Sequence, residues 1–442
     1  MAFFSVRFGP LALLALVAAG PAPAPAPPRP AAPPVAALPP SPLPVATPES
    51  IGLSTQALNQ VMGVLSTKVA EGRIAGAVFG IARHGKLGWL QAVGFRDGDL
   101  RERLTADAIF PLASMTKPIA SVAAMVLVER GKLGLADPLS LYLPAFRSMK
   151  VMRQTPGADG APPTQSLEPA ARPITVQDVL RHTAGFINGN LSPNNPLGQQ
   201  YIAAKLYDNG TSLTESVDKL AALPLGYQPG SKWEYSIAVD VLARVVEVVS
   251  GETFADFVAK NVTGPLRMTD TAYWQPETAT KRFAAPRINP VTGVLPAHQD
   301  MLVRPVRIGG NSGLTGTAGD YLRFGQAMLN GGGLDGVRVL GAGTVANMTS
   351  DHLGTIPHDT VLGQYLLGPG RGFGLGFSVR ITAGLNPMPG SVGDFDWGGA
   401  YGTQFLVDPQ QDIVAVLMVN QQNQFDHVFR LFRTLVYQTL LK

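Results

Sequence analysis

The sequence predicts an α+β fold, with an antiparallel sheet flanked by helices and assembled from both ends of the chain, plus an inserted mostly helical domain. Three observations carry that prediction. Strand-length apolar runs come early, at Ile74 to Ala82 and Leu87 to Phe95, around the turn Arg83-His84-Gly85-Lys86. Similar runs return late, at Phe373 to Arg380, Thr403 to Val407 and Ile413 to Asn420. Between them, from Ser114 to about Arg323, the apolar spacing is mostly helical and broken by loops. The division expected is an α/β domain from residues 50–110 and 331–442, interrupted by the helical domain at 111–330.

Taken in order, residues 1–26 read as a signal peptide: a basic Arg7, a short apolar stretch from Leu11 to Ala19, then small residues around Ala22-Pro23-Ala24. That stretch is too short to span a bilayer, so no stable membrane span is expected and the mature chain is expected in the periplasm or outside the cell. An uncleaved anchor is the competing reading. Residues 27–49 are crowded with proline and alanine and read as a semi-rigid linker, so the folded body is expected to start near Ser50. Thr55 to Glu71 has apolar residues at helical spacing. Gln154 to Arg172, rich in Pro and Gly, reads as an exposed insertion. Thr175 to Arg181 is expected to be a short helix closed by His182-Thr183-Ala184-Gly185, with Gly185 as its left-handed cap. Ile237 to Val249 is expected to be a helix stopped by Gly251, and Tyr321 to Leu329 a helix entered from the glycine-rich loop Ile308 to Asp320. That loop lacks the lysine and strand context of a phosphate loop, so close backbone packing near a site is the better reading. An amphipathic helix marked by Phe432, Leu435 and Val436 closes the chain.

Composition narrows the chemistry. The 442 residues are 45% hydrophobic, enough for a large core, and a net charge of +4 without a Lys/Arg stripe gives no reason to expect nucleic acid as a partner. With no cysteine there is no thiolate ligand or nucleophile, and the six histidines include no i, i+4 pair of the zinc-helix type, so neither a metal nor another cofactor is expected.

The stretch that could carry a reaction is Phe110 to Pro118. If a helix starts at Ser114, then Ser114 and Lys117 share a face, placing an amine beside a hydroxyl at a helix N-terminus. A serine nucleophile needs such help to lose its proton. Spacing alone leaves an N-cap serine with a surface lysine equally open. The chain also contains a second copy at Ser216-Val217-Asp218-Lys219, read as a solvated helix face in which Asp218 occupies the lysine. His182 could move a proton, although bonding a backbone carbonyl is the favoured reading. Tyr235 lies at a helix start and could project into a cleft or be satisfied locally.

In the order Ser114-x-x-Lys117, Tyr235-Ser236-Ile237, Trp397-Gly398-Gly399-Ala400, the chain resembles the serine β-lactamase and penicillin-binding protein superfamily. It is most similar there to the family VIII carboxylesterases, which look like class C β-lactamases, and His182 to Gly185 and the loop at Gly309 fit the same pattern. The resemblance implies a β-lactamase/transpeptidase-like fold, Ser114 as nucleophile, Lys117 and Tyr235 as the activating pair, and the backbone amides of Ser114 and Ala400 as oxyanion hole. Trp397, Gly398, Gly399 and Ile237 would meet the substrate. Where β-lactamases carry a lysine the chain has Trp397, read as a substrate wall in preference to core filling, and where they carry an asparagine it has Ile237. Both changes point to neutral esters, hence to a serine carboxylesterase acting on short to medium acyl esters. A β-lactamase or D-alanyl peptidase, an acyltransferase or amide hydrolase, and a non-catalytic binding protein are the rivals. No Gly-x-Ser-x-Gly elbow occurs, which removes the α/β-hydrolase alternative.

Overall fold

Both termini do build one sheet. The computed structural model describes residues 42–155, 164–208, 210–289, 292–296, 299–422 and 425–441. Residues 1–26, expected to be a signal peptide, and residues 27–41 of the expected linker lie outside them. The sheet takes β1 (Gly76–Arg83) and β2 (Lys86–Gly94) from the start of the chain. From the end it takes β3 (Arg371–Phe373), β4 (Ser378–Arg380), β5 (Phe395–Gly398), β6 (Gln404–Asp408) and β7 (Ile413–Val419). Their order is β2-β1-β7-β6-β5-β4-β3, every neighbouring pair antiparallel.

Strands β1 and β7 read as unbroken apolar runs because both of their faces are covered. Phe79, Ile81, Leu417 and Val419 point to one side, against α1 (Thr55–Ala70) and the closing helix Phe425–Tyr437. Val78, Val414 and Val416 point to the other, against the main core. Each such side chain, taken fully out of water, contributes roughly 1.5–3 kcal/mol. The first hairpin closes through two left-handed residues, His84 (φ 55°) and Gly85 (φ 71°), a geometry that matches strand twist.

Four expectations need correction. The folded body begins before Ser50: Leu43 is buried, Pro44 O accepts from Leu87 N at 2.8 Å, and Ala46 N donates to Leu87 O at 3.0 Å. Prolines cannot donate but their carbonyls accept, so a Pro-rich segment can still line a sheet edge. Phe373 to Arg380 is not one strand but the last residue of β3, a turn through residues 374–377, and β4. The Gln154 to Arg172 segment, expected as loop, contributes to a two-stranded hairpin of Lys150–Thr155 and Thr164–Pro169, with residues 156–163 outside those described. The helix Ala318–Leu329, grouped by sequence with the helical part, lies on the sheet instead, where Gly325 lets it approach Val414 closely. One continuous core runs through both parts, from Val416 and Phe405 of the sheet to Val241 and Phe257 among the helices.

Candidate active site

Phe110-Pro111 pairs antiparallel with Thr315-Gly316, and Leu112 N donates to Leu314 O at 2.9 Å, which fixes the chain just ahead of Ser114. Ala113 then takes a left-handed backbone (φ 46°), a conformation costing a non-glycine residue roughly 1–2 kcal/mol. Strain of that kind collects at functional sites. Ser114 follows in a single 3-10 turn, Ala113–Met115, that runs into α2 (Thr116–Glu129), so the α-helix starts two residues later than expected while Pro118 keeps its first-turn place.

Three side chains converge. Lys117, only 4% exposed, donates from Nζ to Ser114 Oγ at 3.3 Å and to Asn311 O at 2.8 Å. The Tyr235 hydroxyl lies 2.7 Å from Ser114 Oγ. Lys117 Nζ stands 4.7 Å from the centre of the Tyr235 ring. Among the described residues no carboxylate pairs with Lys117. At the second Ser-x-x-Lys the opposite holds: Lys219 is paired with Glu215 at 2.8 Å, not with Asp218, and Ser216, buried rather than solvated, bonds Leu206 O at 2.7 Å. The shared spacing therefore hides different environments.

Tyr235 enters from the turn before α3 (Ala238–Ser250), which ends at the left-handed Gly251 as expected. Its ring sits in an aromatic box, 5.1 Å from His182, 6.4 Å from Trp233 and 5.6 Å from Trp397. His182 is buried, and its Nδ1 meets the Ser236 hydroxyl at 3.2 Å instead of the backbone carbonyl expected. Burial first, and the Lys117 charge second, push its pKa well below the ordinary value, so the imidazole is neutral. It also takes the left-handed position after the helix Val176–Leu180 (φ 58°), ahead of Gly185. Glu234, next to Tyr235, is raised by burial to about 7, against opposing contributions from Thr360 and Lys232.

The end of β5 closes the other side. Gly399 packs so tightly on the residue-112 segment that a Cβ there would lie 2.5 Å from Leu112 O and 2.2 Å from Thr403 Oγ1. This sets the turn after β5, which contains Ala400, against the Leu112-Ala113 segment that leads into Ser114. Replacing Gly399 with alanine is expected to push that turn away and to lower kcat by about 10²-fold, the scale of one lost oxyanion donor, with the fold retained by circular dichroism. Trp397 is 5% exposed and packs on Tyr235 and on Phe373, whose ring centre is 5.4 Å away, so it backs the site more than it walls it. Ile237 is fully buried beneath the site and Gly398 is buried against Gln404, so neither lines an open cleft.

Sequence reasoning missed the Asn311 carbonyl, since any residue offers a backbone acceptor; the glycine-rich loop was the one available signal. It also missed Trp233 and Phe373, which belong to none of the motifs that pointed to the site.

The chain is similar to known proteins along most of its length. A profile of the family described as Beta-lactamase matches residues 61–437. Protein Rv1367c of Mycobacterium tuberculosis is 34% identical over 362 residues, covering 79% of this chain and 86% of its own. Esterase EstB of Burkholderia gladioli is 32% identical over 382 residues, covering 81% and 88%. Among solved structures, EstCE1, titled a hydrolase with promiscuous acyltransferase activity, superposes with a TM-score of 0.70 at 29% identity, covering 86% of this chain and 99% of its own.

Proposed function

The chain belongs to the beta-lactamase family and is a serine hydrolase, and from that premise we propose that it is a carboxylesterase, similar to the family VIII enzymes, that forms an acyl-enzyme on Ser114 from short to medium acyl esters. The observation that carries the reading is the convergence of Tyr235 OH and Lys117 Nζ on one serine oxygen, at 2.7 Å and 3.3 Å. In acylation the Tyr235 oxygen acts as a phenolate whose negative charge the adjacent Lys117 ammonium offsets; it takes the Ser114 proton and becomes the neutral phenol. Ser114 Oγ adds to the ester carbonyl, whose oxygen is received by the amides of Ser114 and Ala400. The alcohol leaves with the proton that Tyr235 returns. Water then enters, gives a proton to Tyr235 and adds to the acyl carbonyl; the bond to Ser114 Oγ breaks, Ser114 recovers that proton from Tyr235, and the acid is released.

Preference for neutral esters is supported by Trp397 and Ile237, apolar residues at positions where the resemblance would put a lysine and an asparagine. No cation is supplied there for a substrate carboxylate. The engagement of the buried His182 imidazole with the Ser236 hydroxyl supports Tyr235 as the base for Ser114. Export to the periplasm or beyond is part of the same proposal and rests on residues 1–26.

A panel of p-nitrophenyl esters graded by acyl length, run beside a chromogenic cephalosporin, tests the assignment. The expected outcome is a kcat/KM for acetate or butyrate esters that exceeds the cephalosporin value by about 10²-fold or more, equivalent to roughly 3 kcal/mol of differential transition-state binding. A cephalosporin value above every ester overturns it. Adding an alcohol acceptor to the same assay detects acyl transfer as a competing fate of the acyl-enzyme.

A further inference from the structure

Asp240 is a buried carboxylate, 2% exposed, that no step above uses. It is the third residue of α3, where the helix dipole favours an anion. Among the described residues its hydrogen-bond partner is the backbone N–H of Asn311, at 2.7 Å. The carbonyl of that same residue accepts from Lys117 Nζ at 2.8 Å.

The loop between them is pressed flat on α3. A Cβ on Gly309 would lie 2.4 Å from Asp240 Oδ1, and one on Gly310 would lie 2.3 Å from Val239 O. From the other side the Tyr273 hydroxyl donates to Gly309 O at 2.6 Å. A few residues on, Leu314 N donates to the Thr116 hydroxyl at 3.2 Å, which ties the loop to the first turn of α2.

We infer that Asp240 is a positioning residue for Lys117, holding Asn311 so that its carbonyl aims the ammonium at Ser114 and locks α2, which carries the nucleophile and the amine, to α3, which follows Tyr235. A charge-assisted bond to a backbone amide is stiffer than a neutral one, and this one fixes the acceptor of a long side chain that has no carboxylate partner of its own. The inference rests on the assignment of Ser114 and Lys117 to the acylation step.

The test measures kcat and KM on p-nitrophenyl butyrate, with the rate of fluorophosphonate labelling of Ser114, in wild type, Asp240→Ala, Asp240→Asn, Gly309→Ala and Ser114→Ala. Asp240→Ala is expected to lower kcat and the labelling rate by on the order of 10²-fold, the effect of an ångström-scale misplacement, with KM little changed. Asp240→Asn keeps an oxygen facing the Asn311 amide and is expected to recover most of that loss. Gly309→Ala disturbs the same contact from the loop side, so it carries the test if Asp240→Ala does not fold, and the same split of kcat from KM is expected. Wild-type kcat in both Asp240→Ala and Gly309→Ala overturns the inference, as does a loss in which KM rises in step with a lowered Tm and Asp240→Asn gives no rescue. Turnover retained by Ser114→Ala would overturn the esterase reading instead.

Discussion

Replacing Ser114 with alanine is expected to lower kcat on p-nitrophenyl butyrate by about 10⁴-fold or more, while Tm and the circular dichroism spectrum stay those of the wild type. The size follows from the site's economy of parts. Lys117 and Tyr235 both address a single oxygen, and removing it leaves them nothing to activate. Groups that act as a unit lose nearly everything when one member goes, and the residue of rate comes from the oxyanion donors and binding alone. Stability is spared because Ser114 is only half-buried and alanine keeps its backbone and leaves no large cavity. Lys117 retains Asn311 O as an acceptor, so no buried ammonium is orphaned. Fluorophosphonate labelling should vanish in the same variant. Full turnover in Ser114→Ala would remove the acyl-enzyme from the account.

How much of this was legible beforehand differs by level. The sheet was readable because β1 and β7 are long, β-rich and buried on both faces, so Val78, Phe79, Val416 and Leu417 leave an apolar run that needs no partner to be recognised. The β3–β4 hairpin was not, because its strands are three residues each and a turn through Gly374 and Gly376 interrupts what looks like one run. Ser114, Lys117 and Tyr235 were readable as motif positions, yet the two Ser-x-x-Lys copies could be separated only by their surroundings. Glu215 pairs with Lys219, while nothing acidic pairs with Lys117 among the described residues. Burial was the hardest property to foresee. Trp397 and Ile237 were placed against substrate, but the fold packs one behind Tyr235 and seals the other into the core. Under the esterase reading proposed above, they act on substrate choice by withholding polar groups more than by offering contact.

Asparagine at Asp394 is expected to be the most damaging substitution to stability, costing about 3–5 kcal/mol, the scale for breaking a buried charge arrangement by removing one partner. On the sheet face opposite Phe395 and Trp397, β5 carries Asp394 at its edge and Asp396 within it, both buried. Three guanidiniums surround them. Arg371 reaches Asp394 and Asp396 at 2.9 Å each, Arg380 reaches Asp394 at 2.9 Å, and Arg433, from the closing helix, reaches Asp394 at 2.8 Å and also bonds Asp396. With Asp394 neutral, three cations would share one carboxylate in a place water does not reach, and the helix-to-strand attachment through Arg433 would weaken. Burial works to raise the Asp394 carboxyl, but Arg433, then Arg371 and Arg380, outweigh it and hold it at about 2, below its ordinary 3.8. Between those values the unfolded chain binds the proton that the folded chain refuses, so this contribution is whole above about pH 4 and is lost as pH falls through about 2. Urea titrations should therefore place Asp394→Asn well below wild type at pH 7, with the gap narrowing on acidification. Glu71→Gln, which breaks the exposed pair with Lys68, should leave the pH 7 midpoint where it is. If the two variants unfold together at pH 7, the cluster contributes little. Because the chain runs directly from Asp396 through Trp397 and the end of β5 to Gly399, a loosened cluster should also reach the turn packed on the segment ahead of Ser114, and the Asp394→Asn protein should lose kcat at temperatures below its own unfolding.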